Sequence, residues 1–212
     1  MMEIQHFTFN PFQENTYLLI NEKKECIIID PGCYFEEERK QLQSYIEKEG
    51  LKVTRLLNTH CHIDHVLGNK LVVTTYGVGL EIHPLEKLLL DRSPEIGKMY
   101  NIPFDPSPEP VRFLEDGEKI TFGDDELEVL LAPGHSPGSV CFYSAAGKFV
   151  IGGDVLFFQS IGRTDLPGGS HQTLLNSIRE KLFVLPDDVT VYPGHGQSTT
   201  IGYEKQHNPF LQ

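Results

Sequence analysis

Four residues in one short segment carry the strongest chemical signal in the chain: His60, His62, Asp64 and His65, in the pattern His-x-His-x-Asp-His. Neutral imidazoles and carboxylates are good ligands for zinc and similar divalent cations. In an extended stretch, side chains two positions apart point the same way, which puts His60 and His62 on one side. If the chain then turns into a helix, Asp64 and His65 occupy its first turn and reach a second ion beside the first. Pro133-Gly134-His135, Gly152-Gly153-Asp154 and Pro193-Gly194-His195 each follow an apolar run and place one potential ligand on a glycine-containing turn. The backbone can bend closely around an ion there. Four strand ends thus offer five histidines and two aspartates. His6, His83, His171 and His207 lack this setting and are assigned to surface or packing roles. Cys61 alternates with its neighbouring ligand candidates and is expected to turn away from them into packing.

The elements that must position these residues can be read from the apolar runs. Residues 26–29 form an unbroken run closed by Asp30-Pro31-Gly32, and residues 53–57 form another that leads straight into Asn58-Thr59-His60. Such runs suggest strands buried on both faces. Between them, residues 36–48 are charged, with Leu42, Tyr45 and Ile46 at helical spacing, and predict an amphipathic helix ended by Gly50. Residues 5–9 and 16–20 read as short strands and residues 66–75 as a helix. A strand over 78–82 and a helix over 85–90 follow. The proline-rich stretch 103–110 can hold neither a regular helix nor a central strand and is expected as a surface loop. Strands are predicted over 111–114, 118–122, 127–132, 139–143 and 148–151, with tight turns at Asp116-Gly117 and Ala146-Gly147. A helix over 172–183 and a strand over 190–192 complete the chain. Two similar series of strands and helices are accommodated by two sheets face to face with helices outside.

The chain has 212 residues, which suits a single domain spanning 1–212. With 39% hydrophobic and 23% charged residues, it has the composition of a globular protein that needs no disulfide staples. A formal net charge of −12 disfavours non-specific binding of nucleic acid or anionic lipid. No apolar run approaches the ~18 residues of a membrane span, and the first residues lack the basic-then-apolar pattern of a secretory signal. The four cysteines form no CxxC pair and read as reduced thiols in a cytoplasmic protein.

His60-Cys61-His62-Ile63-Asp64-His65, followed by Gly134-His135, Asp154 and Gly194-His195, resembles the metallo-β-lactamase superfamily. Within it, the sequence is most similar to the short form of the glyoxalase II-like hydrolases (hydroxyacylglutathione hydrolases), from Asn10-Pro11-Phe12 to Asn208-Pro209-Phe210-Leu211. The resemblance implies an α+β fold, an αββα four-layer sandwich of two mixed sheets with the metals at one edge. It implies two divalent ions, zinc foremost with iron or manganese as alternatives. His60, His62 and His135 would hold one, Asp64, His65 and His195 the other, and Asp154 would bridge. Asp30 resembles the aspartate that family members place behind the ligands, steadying the loops without binding metal. Two cations lower the pKa of bound water toward ~7 and polarise a carbonyl oxygen. The implied reaction is attack of metal-bound hydroxide on a small acyl thioester, with Asp64 as the catalytic residue that orients it. Arg163, nine residues beyond Asp154, matches the family loop that contacts glutathione and could clamp a substrate carboxylate.

Against the full-length family pattern, no C-terminal helical substrate domain is expected, and no tyrosine follows soon after His195, where Gly196-Gln197-Ser198 stand instead. The Gly162-Arg163-Thr164-Asp165 loop also looks like that of persulfide dioxygenases. Those enzymes hold a single iron, here through His60, His135 and Asp154. A non-catalytic metal-binding module is a third reading, against which the complete ligand set argues. Nucleic-acid cleavage is disfavoured by the negative charge. β-Lactam hydrolysis is disfavoured by Asp64 and by Asp154, a cysteine in many β-lactamases. No nucleic-acid or membrane partner is expected, and the oligomeric state is left open.

Overall fold

The buried runs become strands whose order is set by backbone pairing; a computed structural model describes residues 2–212. The chain forms two units, Met1–Phe113 and Leu114–Gln212. The first contains β1 (Glu3–Phe9), β2 (Glu14–Ile20), β3 (Glu25–Ile29), α1 (Glu36–Lys48), β4 (Lys52–Leu57), α2 (Ile63–Val66), α3 (Asn69–Tyr76), β5 (Leu80–Ile82), α4 (Lys87–Met99) and β6 (Arg112–Phe113). Its six strands form one sheet in sequence order. β1, β2 and β3 pair antiparallel, whereas β3 to β6 pair in parallel. Parallel neighbours end at the same edge, so whatever follows β3, β4 and β5 is gathered there.

Helix α1 has the expected bounds, with Leu42 and Ile46 facing inward; burying each contributes ~1.5–3 kcal/mol. Its start is fixed by the Glu38 carboxylate, which accepts from the Tyr34 and Phe35 amides at 2.8 and 3.1 Å. The helix expected over 66–75 is instead two, α2 and α3. Gly68 separates them because its amide donates to the Pro31 carbonyl at 2.7 Å. A Cβ there would lie 2.6 Å from the Cys33 sulfur and 2.7 Å from the Pro31 oxygen, so the close approach requires glycine. The helix expected over 85–90 begins as a 3-10 turn, Pro84–Glu86, and runs on as α4 through Pro94. Proline cannot serve the Leu90 carbonyl; the Ser93 hydroxyl does so at 2.7 Å. The proline-rich stretch is loop, as expected.

The second unit contains β7 (Lys119–Phe122), β8 (Asp125–Leu131), β9 (Val140–Ser144), β10 (Phe149–Gly153), β11 (Leu156–Phe157), β12 (Ser160–Ile161), α5 (His171–Ser177), β13 (Thr190–Pro193), β14 (Thr199–Thr200) and α6 (Ile201–His207). Its main sheet has the order β14-β13-β10-β9-β8-β7. β9 is antiparallel to both β8 and β10, and β13 is parallel to β10. Three strands therefore run the same way and end at one edge. The helix expected over 172–183 starts as α5 and widens into a π-type turn over Ile178–Leu182, with the Phe183 amide bonded to the Ile178 carbonyl at 2.8 Å. Leu174, Ile178 and Leu182 recur every four residues and are all buried. A wider turn keeps that spacing on one face, where a 3.6-residue period would let it drift. The β11–β12 hairpin, β14 and α6 are not anticipated by the sequence reading, since elements this short carry little periodicity. Two mixed sheets with helices make an α+β architecture. Among the described residues no helix is long and apolar enough to cross a membrane.

Candidate functional site

In the first unit the parallel ends of β3 and β4 bring Asp30 beside Asn58 and Thr59. Asp30 adopts a left-handed φ of 49°, its amide donates to the Leu57 carbonyl at 3.0 Å, and its carboxylate turns toward the segment leaving β4. One carboxylate oxygen accepts from the Thr59 amide at 2.7 Å and the Asn58 side-chain amide at 3.2 Å. The other accepts from the Thr59 hydroxyl at 2.5 Å and faces His65 Nδ1 at 3.1 Å. Thr59 Oγ1 also lies 3.0 Å from His60 Nδ1. His60 and His65 are fully buried. Their ring centroids are 4.0 Å apart, and those of His60 and His62 are 4.8 Å apart. His62 is the residue before α2, still extended, and Asp64 and His65 lie in that helix. Asp64 Oδ2 is 3.7 Å from His65 Nε2, and the Asp64 carbonyl is held by the Asn10 side-chain amide at 3.0 Å.

In the second unit the common strand direction collects His135, Asp154 and His195. The Gly194 amide donates to the Gly153 carbonyl at 2.8 Å, locking the ends of β10 and β13 together. Asp154 Oδ2 lies 3.5 Å from His135 Nε2 and 3.5 Å from His195 Nε2. His135 Nδ1 is 2.8 Å from the Arg163 carbonyl oxygen. The chain passes so close at Gly162 that an added Cβ would strike the Asp154 carbonyl and approach His135 Nδ1 to 3.2 Å.

These spacings fit a divalent cation. Ligands ~2.1 Å from a tetrahedral ion lie roughly 3.4 Å from each other. The Asp154 separations match that edge, and the Asp64–His65 separation is close to it. Three imidazoles this close cannot all be charged without strong repulsion, so they are suited to binding as neutral ligands. With Nδ1 turned to Thr59, Asp30 or the Arg163 carbonyl, Nε2 is the candidate ligating atom, the usual division of labour at metal-binding histidines.

The signature of the metallo-beta-lactamase superfamily matches residues 9–195. The chain belongs to the metallo-β-lactamase superfamily. It is 38% identical to the hydroxyacylglutathione hydrolase GloC of Haemophilus influenzae, over 99% of this chain and 98% of that protein. It is similar in structure to the B3 metallo-beta-lactamase BLEG-1, with a TM-score of 0.91 and 37% identity over 99% of this chain and 100% of the other. It is likewise similar to TTHA1623, solved in a di-iron-bound form, with a TM-score of 0.88 and 38% identity over 98% of this chain and 100% of the other. The metallo-β-lactamase fold is thus shared along essentially the whole chain.

Within this superfamily member the structure also assigns neighbours that the sequence reading omits. Glu86 is fully buried and accepts from the Cys61 amide at 2.7 Å, so the turn after β5 steadies the ligand segment. Glu14, also fully buried, accepts from Thr16 Oγ1 at 2.9 Å, and that hydroxyl in turn accepts from the Gly32 amide at 2.9 Å. Its second oxygen lies 3.9 Å from His65 Nδ1. Burial holds the Glu14 carboxyl well above the usual carboxylate range, with Asp30 and Asp64 adding to the effect against His65. A charged residue inside the otherwise uncharged strand 14–20 was the available signal. Cys61 is buried, and that burial pushes its thiol well above the ordinary cysteine value, as a packing residue requires. The Arg163 guanidinium makes a bidentate pair with Asp165, 2.7 Å at each bond, while its carbonyl serves His135.

Proposed function

We propose that this chain is a metal-dependent thioester hydrolase acting on a hydroxyacylglutathione or a related small acyl thioester. The observation that carries the reading is full-length similarity to a hydroxyacylglutathione hydrolase. The oriented donor set described above supports it. His60, His62 and His135 would hold one divalent ion and Asp64, His65 and His195 a second, with Asp154 shared, as the family resemblance implies. When bound, such ions supply an acidified water and an electrophile for the carbonyl oxygen.

The chain's own contribution is orientation. Thr59, Asp30 and the Arg163 carbonyl fix three imidazoles with Nε2 as donor. Asn10 holds the Asp64 backbone, so the Asp64 carboxylate is aimed by the first turn of α2. Arg163 would bind a substrate carboxylate by exchanging it for Asp165, which already demonstrates the bidentate geometry. A thiolate is a good leaving group, so no dedicated proton donor to it is needed.

The test is metal analysis of protein purified without added metal, beside assays on lactoylglutathione, glutathione persulfide and a β-lactam. Two metal equivalents with thioester turnover is the expected result. One iron with oxygen uptake would establish a persulfide dioxygenase instead. Preferential β-lactam turnover would favour the activity named for BLEG-1. His62→Ala and Asp64→Ala should each lose metal and activity together; undiminished turnover in either purified variant would end the mechanism.

A further inference from the structure

The helical face of the first unit holds a cavity of about 120 Å³ lined by Arg39 of α1, Leu67, three residues of α3 (Lys70, Leu71 and Thr74) and Asp105 of the proline-rich loop. That is several times the roughly 10–15 Å³ needed by one water. Arg39 Nε is buried and has no hydrogen-bond partner among the described residues. The residue as a whole is only partly buried, so the rest of its guanidinium can face the cavity. Lys70 lies 3.4 Å from Asp105, both substantially exposed, a kind of pair that contributes little and is readily displaced. Two cations against one carboxylate leave the lining net positive within a chain of net charge −12. Leu67 and Leu71 close the apolar side.

We propose that this cavity is a binding site for a small oxyanion, phosphate or carboxylate, separate from the metal ligands. The guanidinium of Arg39 supplies the directional N–H groups that suit oxygen anions. Lys70 adds a point charge on the opposite helix, and Asp105 is the internal competitor that the ligand displaces. The site connects to the ligand segment through the backbone: Leu67 follows α2, and the next residue, Gly68, is tied to Pro31.

Isothermal titration of the metal-loaded protein with sodium phosphate, and separately with sodium acetate, tests this at constant ionic strength set by chloride. Phosphate can also bind a metal centre, so the variants carry the assignment. Arg39→Gln and Lys70→Gln should each weaken the binding at least tenfold and about threefold respectively, with metal content unchanged, while Asp105→Asn should tighten it about threefold. Binding of phosphate but not acetate assigns the site to a tetrahedral anion; the reverse assigns it to carboxylates. No binding of either, or affinities equal in wild type and all three variants, would overturn the proposal and leave the cavity to water. Because Asp105→Asn is expected to act in the opposite direction, loss of folding in Arg39→Gln cannot imitate the pattern.

Discussion

Asp30→Asn isolates the step by which one carboxylate sets the chemistry of its neighbour. Asp30 is buried and accepts four contacts: the Thr59 amide at 2.7 Å and Asn58 amide at 3.2 Å on one oxygen, the Thr59 hydroxyl at 2.5 Å and His65 Nδ1 at 3.1 Å on the other. The first oxygen faces two N–H donors and must remain an oxygen, so the amide nitrogen of asparagine turns toward Thr59 Oγ1 and His65. The threonine hydroxyl can rotate to accept. His65 Nδ1 can accept only by giving up its proton to Nε2, the atom 3.7 Å from Asp64 and the one assigned to metal. Loss of such an outer partner costs roughly 10- to 100-fold in metal affinity, or about 1.4–2.7 kcal/mol. Competition against a chromophoric chelator at neutral pH measures it directly. Asp30→Ala should add a loss of folding stability of about 1–3 kcal/mol for each buried donor left unpaired, read from urea midpoints of the metal-free protein. Metal affinity within twofold of wild type in Asp30→Asn would refute the idea that Asp30 governs which His65 nitrogen is available.

Three further outcomes follow from the same geometry. Cys61→Ala should retain thioester turnover, and the native thiol should resist alkylation near pH 8, since burial holds it protonated; rapid modification with loss of turnover would refute the packing role. Glu14 has a raised folded-state pKa, so the native state keeps a proton that the unfolded chain loses. Its contribution to stability is present below the ordinary carboxylate range and lost as pH rises through the folded value. Chelator-treated Glu14→Gln should therefore exceed wild type in urea midpoint at about pH 8 and match it near pH 4, and the opposite ordering would show Glu14 to be ionised in place. Arg163 holds the Asp165 carboxyl down at about 2 through its paired hydrogen bonds, so this pair persists across the working pH range. Asp165→Asn should lower KM for a carboxylate-bearing thioester by about two- to fivefold, the scale of an exposed ion pair, and an unchanged KM would remove Arg163 from substrate binding.

The sequence alone determined which side chains are the candidate metal ligands. His60, His62, Asp64, His65, His135, Asp154 and His195 stand out because ligand types recur immediately after buried runs, a local pattern that needs no knowledge of packing. It also determined most strands of both sheets and the bounds of α1, where periodicity is long enough to read. Tertiary structure alone decided what stands behind those candidates. The bond from Gly68 to Pro31 that splits α2 from α3 joins residues far apart in sequence, and so do the contacts of Glu86 with Cys61, Glu14 with His65, and the Arg163 carbonyl with His135. No local periodicity records such partners, because they are selected by parallel strands ending at a common edge. The wide turn after α5 and the run of α4 through Pro94 were decided likewise, by burial of Leu182 and by one serine hydroxyl. Propensity is a property of the segment, whereas the donor that rescues a carbonyl or the wall that demands a glycine exists only once the chain is folded.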